Sequence, residues 1–137
     1  LTLRCEIMVE EKIVVIIERK MLEAVLHNAK RLYPRELVLL LRGKKQHNKV
    51  MIKEAIIPPL ATYGEGFASI PLSILPMDFS IVGTLHSHPS GSLNPSLEDL
   101  NNFWGSILII CGFPFTDETC VAAYNHNGER LSIKLIE

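Results

Sequence analysis

One segment of the chain constrains the fold more than any other, because it joins a strand, a turn and a helix around polar side chains. The strand predicted at 80–86 runs directly into residues 86–89, which read His-Ser-His-Pro. Residues two apart in a strand point to the same face, about 6.6 Å apart along the chain. His86 and His88 can therefore converge on one ion. Pro89 is predicted to end the strand, and the Ser-Gly-Ser that follows is predicted to form the turn.

A short helix is predicted at 95–104, and it carries the next polar residues. Asn94 is predicted to be the N-cap, with Pro95 at the first helical position, where its missing N–H costs nothing. Ser96 and Asp99 then lie within the helix, three residues apart and on the same face. Asp99 can thus complete a His-His-Asp set, with Ser96 beside it.

Two imidazoles and one carboxylate are typical of a catalytic zinc site, because three protein ligands leave one tetrahedral position for water. Hydrolysis also needs a base that accepts the proton of the water and passes it to the leaving group. That base must be a carboxylate outside the ligand set. The chain has no His-Glu-x-x-His motif to supply it, so the carboxylate must come from elsewhere in the sequence.

Together with residues upstream, this segment resembles the JAMM (MPN+) metalloprotease family. The family pattern is an upstream Glu, then His-Ser-His-Pro, then Ser-x-x-Asp. The chain matches it in order and spacing at Glu36, at 86–89 and at 96–99. Glu36 lies in the sequence Tyr-Pro-Arg-Glu-Leu, where the first predicted helix ends and a strand begins. The resemblance covers nearly the whole chain, and in size the chain is most similar to the stand-alone archaeal members.

The resemblance implies a cytidine-deaminase-like JAMM/MPN fold and one Zn²⁺ per chain, bound by His86, His88 and Asp99. It implies zinc-dependent cleavage of isopeptide or peptide bonds after the C-terminal Gly-Gly of ubiquitin-like modifier proteins, which in archaea are the small archaeal modifier proteins. Glu36 would be the general acid/base, and Ser96 would help to stabilise the oxyanion. Segments 60–76 and 112–118 match the family's groove-shaping segments by position only.

Other functions remain open at this point. A metallopeptidase that releases an amino acid from a sulfur-carrier ubiquitin-like protein would share every catalytic residue. A non-catalytic MPN scaffold would have no need of the intact set. A zinc deaminase would need His-x-Glu and Pro-Cys-x-x-Cys, and both motifs are absent. The expected partners are modifier proteins and their conjugates, with no role for nucleic acid or membranes.

Several candidate residues also have simpler interpretations. Glu36 could be a helix-end carboxylate paired with Arg35 or Lys30, and Ser96 could be an ordinary residue of a helix's first turn. Glu98 is predicted to be solvated. The remaining histidines are predicted to be surface residues: His27, His47 and His126. Two cysteines on consecutive predicted strands are expected to stay free thiols: Cys111 and Cys120.

The pattern of elements predicts one α/β (α+β) domain over residues 1–137, with a mixed or largely antiparallel sheet packed with two main helices. The first helix begins after Glu18, shows apolar residues at helical spacing and stops at Pro34. Segment 60–76 is predicted to be an irregular flap. Strands are predicted at 13–17, 37–41 (ended by Gly43), 50–57, 80–86, 106–111, 119–124 and 131–136, with an Asn-Gly hairpin turn before the last.

Charge and composition exclude several classes of protein. The net charge is −1, although residues 1–54 carry 12 Lys/Arg against 7 Asp/Glu and residues 55–137 carry 2 against 8. A nucleic-acid-binding protein would usually be basic. The longest apolar runs have five residues, too few to span a membrane, and no N-terminal stretch has the layout of a signal peptide. Three scattered cysteines favour a reducing cytoplasm. The oligomeric state stays open.

Overall fold

The computed structural model describes residues 12–58, 62–64, 67–69 and 80–137. Within these ranges a strand and a long helix come first, followed by hairpins and then a second, short helix between strands. The elements are β1 (Val14–Glu18), α1 (Arg19–Leu32), β2 (Val38–Gln46), β3 (Lys49–Ile56), β4 (Thr62–Gly64), β5 (Phe67–Ser69), β6 (Ile81–His88), α2 (Leu97–Asn101), β7 (Ile107–Gly112), β8 (Val121–Tyr124) and β9 (Arg130–Ile136).

Seven of these strands form one mixed sheet in the order β1-β3-β2-β6-β7-β8-β9. The sheet closes on itself, because β1 pairs in parallel with β9 as well as with β3. The pair β6 and β7 is also parallel, and the other neighbours are antiparallel. The short strands β4 and β5 form a separate antiparallel pair. The predicted mixed sheet with two helices is confirmed.

Helix α1 buries one face in the core, as its apolar spacing predicts. Leu22, Val25, Leu26 and Ala29 are buried against the main core cluster of the sheet. The helix ends before Pro34, and the N–H of Tyr33 donates to the carbonyl of Ala29 at 3.1 Å. Burial of this stripe, rather than N-terminal capping, stabilises the helix, since Glu18 at the N-cap makes no side-chain capping bond.

The prediction that Gly43 ends the second strand is wrong. β2 continues to Gln46, and Gly43 lies inside it at a bulge where the register against β3 shifts. A Cβ atom at this position would collide with the carbonyl oxygen of Met51, so glycine permits close approach of the two strands. The hairpin turns instead at 47–48, where His47 adopts a positive φ of 55°.

The prediction for the second helix is wrong in its length and its N-cap. α2 spans only Leu97–Asn101, and the N-cap is Ser96 rather than Asn94. The Oγ of Ser96 accepts from the N–H of Asp99 at 3.0 Å, and the Asp99 carboxylate accepts from the N–H of Ser96 at 2.8 Å. This reciprocal capping box satisfies two helix-end donors, and a lone Asn94 cap cannot do so. Pro95 therefore precedes the helix.

The remaining predicted boundaries shift by a few residues. β6 continues past residue 86 to His88, and Pro89 ends it as predicted. β8 begins only at Val121, because 118–120 form a single 3-10 turn. Part of the flap predicted to be irregular at 60–76 forms the β4–β5 pair, and the rest lies outside the described residues. Across the described ranges, no helix has the length and apolar character that spanning a membrane requires.

Candidate metal centre

Strand β6 places two imidazoles side by side at its carboxyl end. Leu85 and Ser87 are fully buried on the core face, while His86 and His88 alternate with them and point to the opposite face. The centroids of the two imidazole rings lie 4.9 Å apart. The two-residue spacing in the sequence therefore brings the two imidazoles together, as predicted.

Asp99 reaches the two imidazoles from α2. Its Oδ1 lies 3.5 Å from Nε2 of His86, and its Oδ2 lies 3.2 Å from Nε2 of His88. One ligand atom from each of the three residues lies within 4.8 Å of the others. These three side chains therefore form a group that can hold a metal ion.

Backbone and hydroxyl contacts orient His88 from outside this group. Its Nδ1 lies 2.8 Å from the carbonyl oxygen of Ser92. A carbonyl only accepts, so Nδ1 carries a proton, and Nε2 is the nitrogen that faces Asp99 and can bind a metal ion once it is unprotonated. The hydroxyl of Tyr124 donates to the carbonyl of Leu93 at 2.7 Å and holds the same loop. The sequence predicts neither contact, because both join residues through loop geometry.

The protonation states of His86 and Asp99 suit a metal site. Burial lowers the pKa of His86 to about 4, so this imidazole is neutral at pH 7. Burial raises the pKa of Asp99, but the hydrogen bonds from His88 and from the N–H of Ser96 outweigh it and lower the pKa to about 2. A neutral imidazole and an ionised carboxylate are the forms that bind a metal ion. Burial lowers the pKa of His88, but its hydrogen bonds to Asp99 and Ser92 outweigh burial and raise it, so a metal ion must displace the proton at Nε2.

Glu36 shares a cleft with this group. The cleft has a volume of about 490 Å³, and its lining includes Glu36, His86, His88, Ser96 and Asp99. Glu36 is only 7% exposed, unlike a solvated helix-end carboxylate. Burial, the largest effect, raises its pKa, while the charge on His88 lowers it. The structure therefore brings together all five residues that the sequence singles out.

The Ser96 hydroxyl makes a helix-capping hydrogen bond, and Ser96 also lines the cleft. Its Oγ accepts from the Asp99 N–H, and this bond leaves its own hydroxyl proton unused. Ser96 is exposed and lines the cleft. The two interpretations of Ser96, as a helix-terminus residue and as an oxyanion donor, are thus compatible.

We expect Ser96→Ala to lower both stability and rate. Loss of the cap should cost about 1 kcal/mol of unfolding free energy. Loss of a donor to the oxyanion should reduce kcat by roughly 10²-fold. The matched control is Asp117→Ala, which removes the side-chain cap that accepts from the N–H of Thr119 outside the cleft. Asp117→Ala should lower the melting temperature and leave turnover unchanged. Unchanged turnover in Ser96→Ala would mean that Ser96 acts only as the helix cap.

The loop that follows β7 lies beside the site. The N–H of Phe113 donates to the carbonyl of His88 at 3.2 Å. The Phe113 ring is 47% exposed and lies 4.8 Å, between centroids, from that of Tyr33. The expectation that 112–118 shapes a substrate groove stays a prediction, but the loop is anchored directly to a proposed metal ligand.

The residues predicted to be bystanders are not part of the metal group. Glu98 lines the cleft but is exposed, and His27 and His47 are also exposed. His126 is also a surface residue, but it stacks on Phe103 at 3.8 Å between centroids, a contact that the sequence does not predict. The two described cysteines are buried free thiols, as predicted: Cys111 and Cys120.

Comparison with known proteins gives a consistent family. Residues 18–126 match the family model described as prokaryotic homologues of the JAB domain. A "probable metalloprotease" of Haloferax volcanii is 30% identical over 112 residues, which cover 77% of this chain and 69% of that protein.

Two solved structures share the fold. The chain is similar to a JAB1/MPN domain protein of Archaeoglobus fulgidus, with 35% identity, a TM-score of 0.65, and coverage of 88% of this chain and 98% of the other. It is also similar to a structure described as a JAMM metalloprotease-like zinc site in the proteasome and signalosome. That match has 30% identity, a TM-score of 0.64, and coverage of 93% of this chain and 100% of the other.

Proposed function

This chain belongs to the JAMM family, as one of its prokaryotic JAB-domain members, and from that premise we propose that it is a zinc-dependent isopeptidase. Its substrates would be conjugates of ubiquitin-like modifier proteins, cleaved after the C-terminal Gly-Gly. The observation that carries the proposal is the buried Glu36 carboxylate in the same cleft as the His-His-Asp group. A scaffold or binding module has no use for this combination.

The three ligands fit zinc in number and in chemistry. His86 and His88 would bind through Nε2 and Asp99 through a carboxylate oxygen, which leaves a coordination position open. Zinc bound there would polarise a carbonyl oxygen and lower the pKa of a bound water. The bond from Nδ1 of His88 to Ser92 presents Nε2 to the metal in the required tautomer.

Glu36 and Ser96 would carry the proton transfer and the charge stabilisation. A buried carboxylate with a raised pKa accepts a proton from water and can return it to the leaving amine, since its pKa lies closer to neutrality. The Ser96 hydroxyl faces the same cleft and can donate to an oxyanion. The sparse cysteines, two of them buried free thiols, support a cytoplasmic setting for the proposed enzyme.

The cleft suits a lysine-linked substrate. No Lys or Arg occurs among the described residues that line it, so no ammonium or guanidinium group of these residues repels the amine of a lysine leaving group. The chain has no Lys or Arg between Lys53 and Arg130. Glycine lacks a Cβ, so a narrow groove can admit a Gly-Gly tail and exclude bulkier sequences.

A cleavage assay on modifier conjugates tests the proposal. We expect hydrolysis of a Gly-Gly–lysine isopeptide, abolished by a chelator and restored by Zn²⁺. A conjugate in which the terminal Gly of the modifier is replaced by Val should resist cleavage, because its side chain cannot enter the groove. Equal cleavage of both conjugates would contradict the proposal that a narrow groove selects the Gly-Gly tail. Failure on every Gly-Gly conjugate would instead favour release of an amino acid from a sulfur-carrier protein.

A further inference from the structure

A buried hydroxyl fastens the segment that carries Glu36 to the strand that carries the two histidines. The N–H of Leu37 donates to Oγ of Ser87 at 2.8 Å. In return, the N–H of Ser87 donates to the carbonyl of Leu37 at 2.9 Å. Ser87 is 0% exposed and Leu37 is buried. The two bonds join the same pair of residues in both directions, and we call this pair the Leu37–Ser87 clasp.

The clasp lies where the pairing of β2 with β6 ends, next to Glu36 and to both histidines. The regular pairing of β2 with β6 ends at Val38, which lies opposite His86. The clasp continues the attachment one residue further, to the neighbour of Glu36. His86 and His88 flank Ser87 in sequence, so a single peptide links the clasp to each imidazole. Ser87 is buried on the core side of β6 and does not line the cleft that contains Glu36 and the metal group.

We propose that Ser87 is a positioning residue that sets the distance between Glu36 and the metal ligands; the inference rests on the proposed role of Glu36 as the base. A buried N–H without an acceptor is unfavourable. Without the Ser87 hydroxyl, the Leu37 N–H must therefore move to find another partner. Because Glu36 precedes Leu37, its carboxylate moves with it. Proton transfer depends steeply on that geometry.

The primary test compares Ser87→Ala with Ser87→Cys. The thiol is larger than the hydroxyl and a weak acceptor, so Ser87→Cys weakens the hydrogen bond without leaving a cavity, whereas Ser87→Ala leaves one. Both variants should keep the wild-type zinc content and KM, with kcat reduced roughly 10- to 100-fold, the range typical for loss of a residue that orients a metal ligand. Wild-type kcat in Ser87→Cys would overturn the proposal.

A double-mutant cycle separates positioning from general destabilisation. If Ser87 acts through Glu36, Ser87→Ala should change the residual kcat of Glu36→Gln by less than about threefold. The matched control is Asp117→Ala, which removes a side-chain cap outside the cleft and so lowers stability without reaching Glu36. It should leave kcat unchanged both in the wild type and in Glu36→Gln. A loss of kcat on Ser87→Ala that is as large in Glu36→Gln as in the wild type would contradict the positioning role.

Amide hydrogen exchange tests the clasp without any substrate. Ser87→Ala should accelerate exchange at Leu37, while Leu39 and Leu41 within β2 stay protected by the ladder. Unchanged exchange at Leu37 would refute the clasp even if the wild-type enzyme cleaves its substrate. If instead the wild type cleaves no conjugate but exchange at Leu37 rises, the proposed substrate is wrong and the clasp stands.

Discussion

Glu36→Gln should bind zinc as well as the wild type does and hydrolyse substrate at least about 10²-fold more slowly. The amide has nearly the same shape as the carboxylate but cannot accept a proton. Glu36 is outside the His-His-Asp group, so the substitution removes no ligand. Metal analysis of the purified variant and single-turnover kinetics on the same sample measure the two properties independently.

The control for this variant is Glu98→Gln. Glu98 is an exposed carboxylate next to Asp99 in sequence, so the variant tests whether any nearby negative charge supports the rate. It should retain near-normal turnover. Near-normal turnover of Glu36→Gln itself would mean that another group is the base, and Glu98 would be the next candidate.

The pH dependence gives a second readout of Glu36. Burial raises the pKa of this carboxylate above its ordinary value. Below that pKa the group is protonated and cannot accept a proton, so kcat/KM should fall as the pH decreases through it. The wild-type acid limb should therefore lie above the ordinary range of glutamate, and the Glu36→Gln variant should lack this limb.

The local sequence was sufficient to predict the metal group. The alternation of a strand predicts that His86 and His88 share a face, and the order of strand, turn and helix brings Asp99 back to them. Helical spacing likewise predicts the buried stripe of α1, which packs on the sheet. These features depend on periodicities of 2 and 3.6 residues, which a sequence displays directly.

The supporting contacts depend on approaches between distant segments, which local periodicity does not reveal. Ser87 bonds to Leu37, 50 positions away, and Tyr124 bonds to Leu93, 31 positions away. Strand alternation predicts that Ser87 lies on the core face, but it does not predict that the Ser87 hydroxyl meets the N–H of Leu37. The Ser96 cap is different, because Ser-x-x-Asp is itself a capping-box pattern that outweighs the Asn-Pro signal.

The largest effect is expected from loss of a metal ligand. His88→Ala leaves only His86 and Asp99 of the three donors. Loss of an outer-shell partner alone weakens metal binding by about 10–100-fold, so loss of a direct ligand should exceed that range. The variant should therefore be purified without zinc and show a greater loss of hydrolysis than Glu36→Gln, even when zinc is added at concentrations that restore the chelated wild type.

His27→Ala is the matched control, because it removes an exposed imidazole on α1, outside the metal group. It should retain zinc and activity. The two variants together distinguish a specific ligand from general loss of histidine. Zinc content in His88→Ala equal to that of His27→Ala would contradict the ligand assignment. If neither variant retained zinc, loss of the metal would not be specific to the proposed ligand, because His27 is exposed on α1 and does not line the cleft.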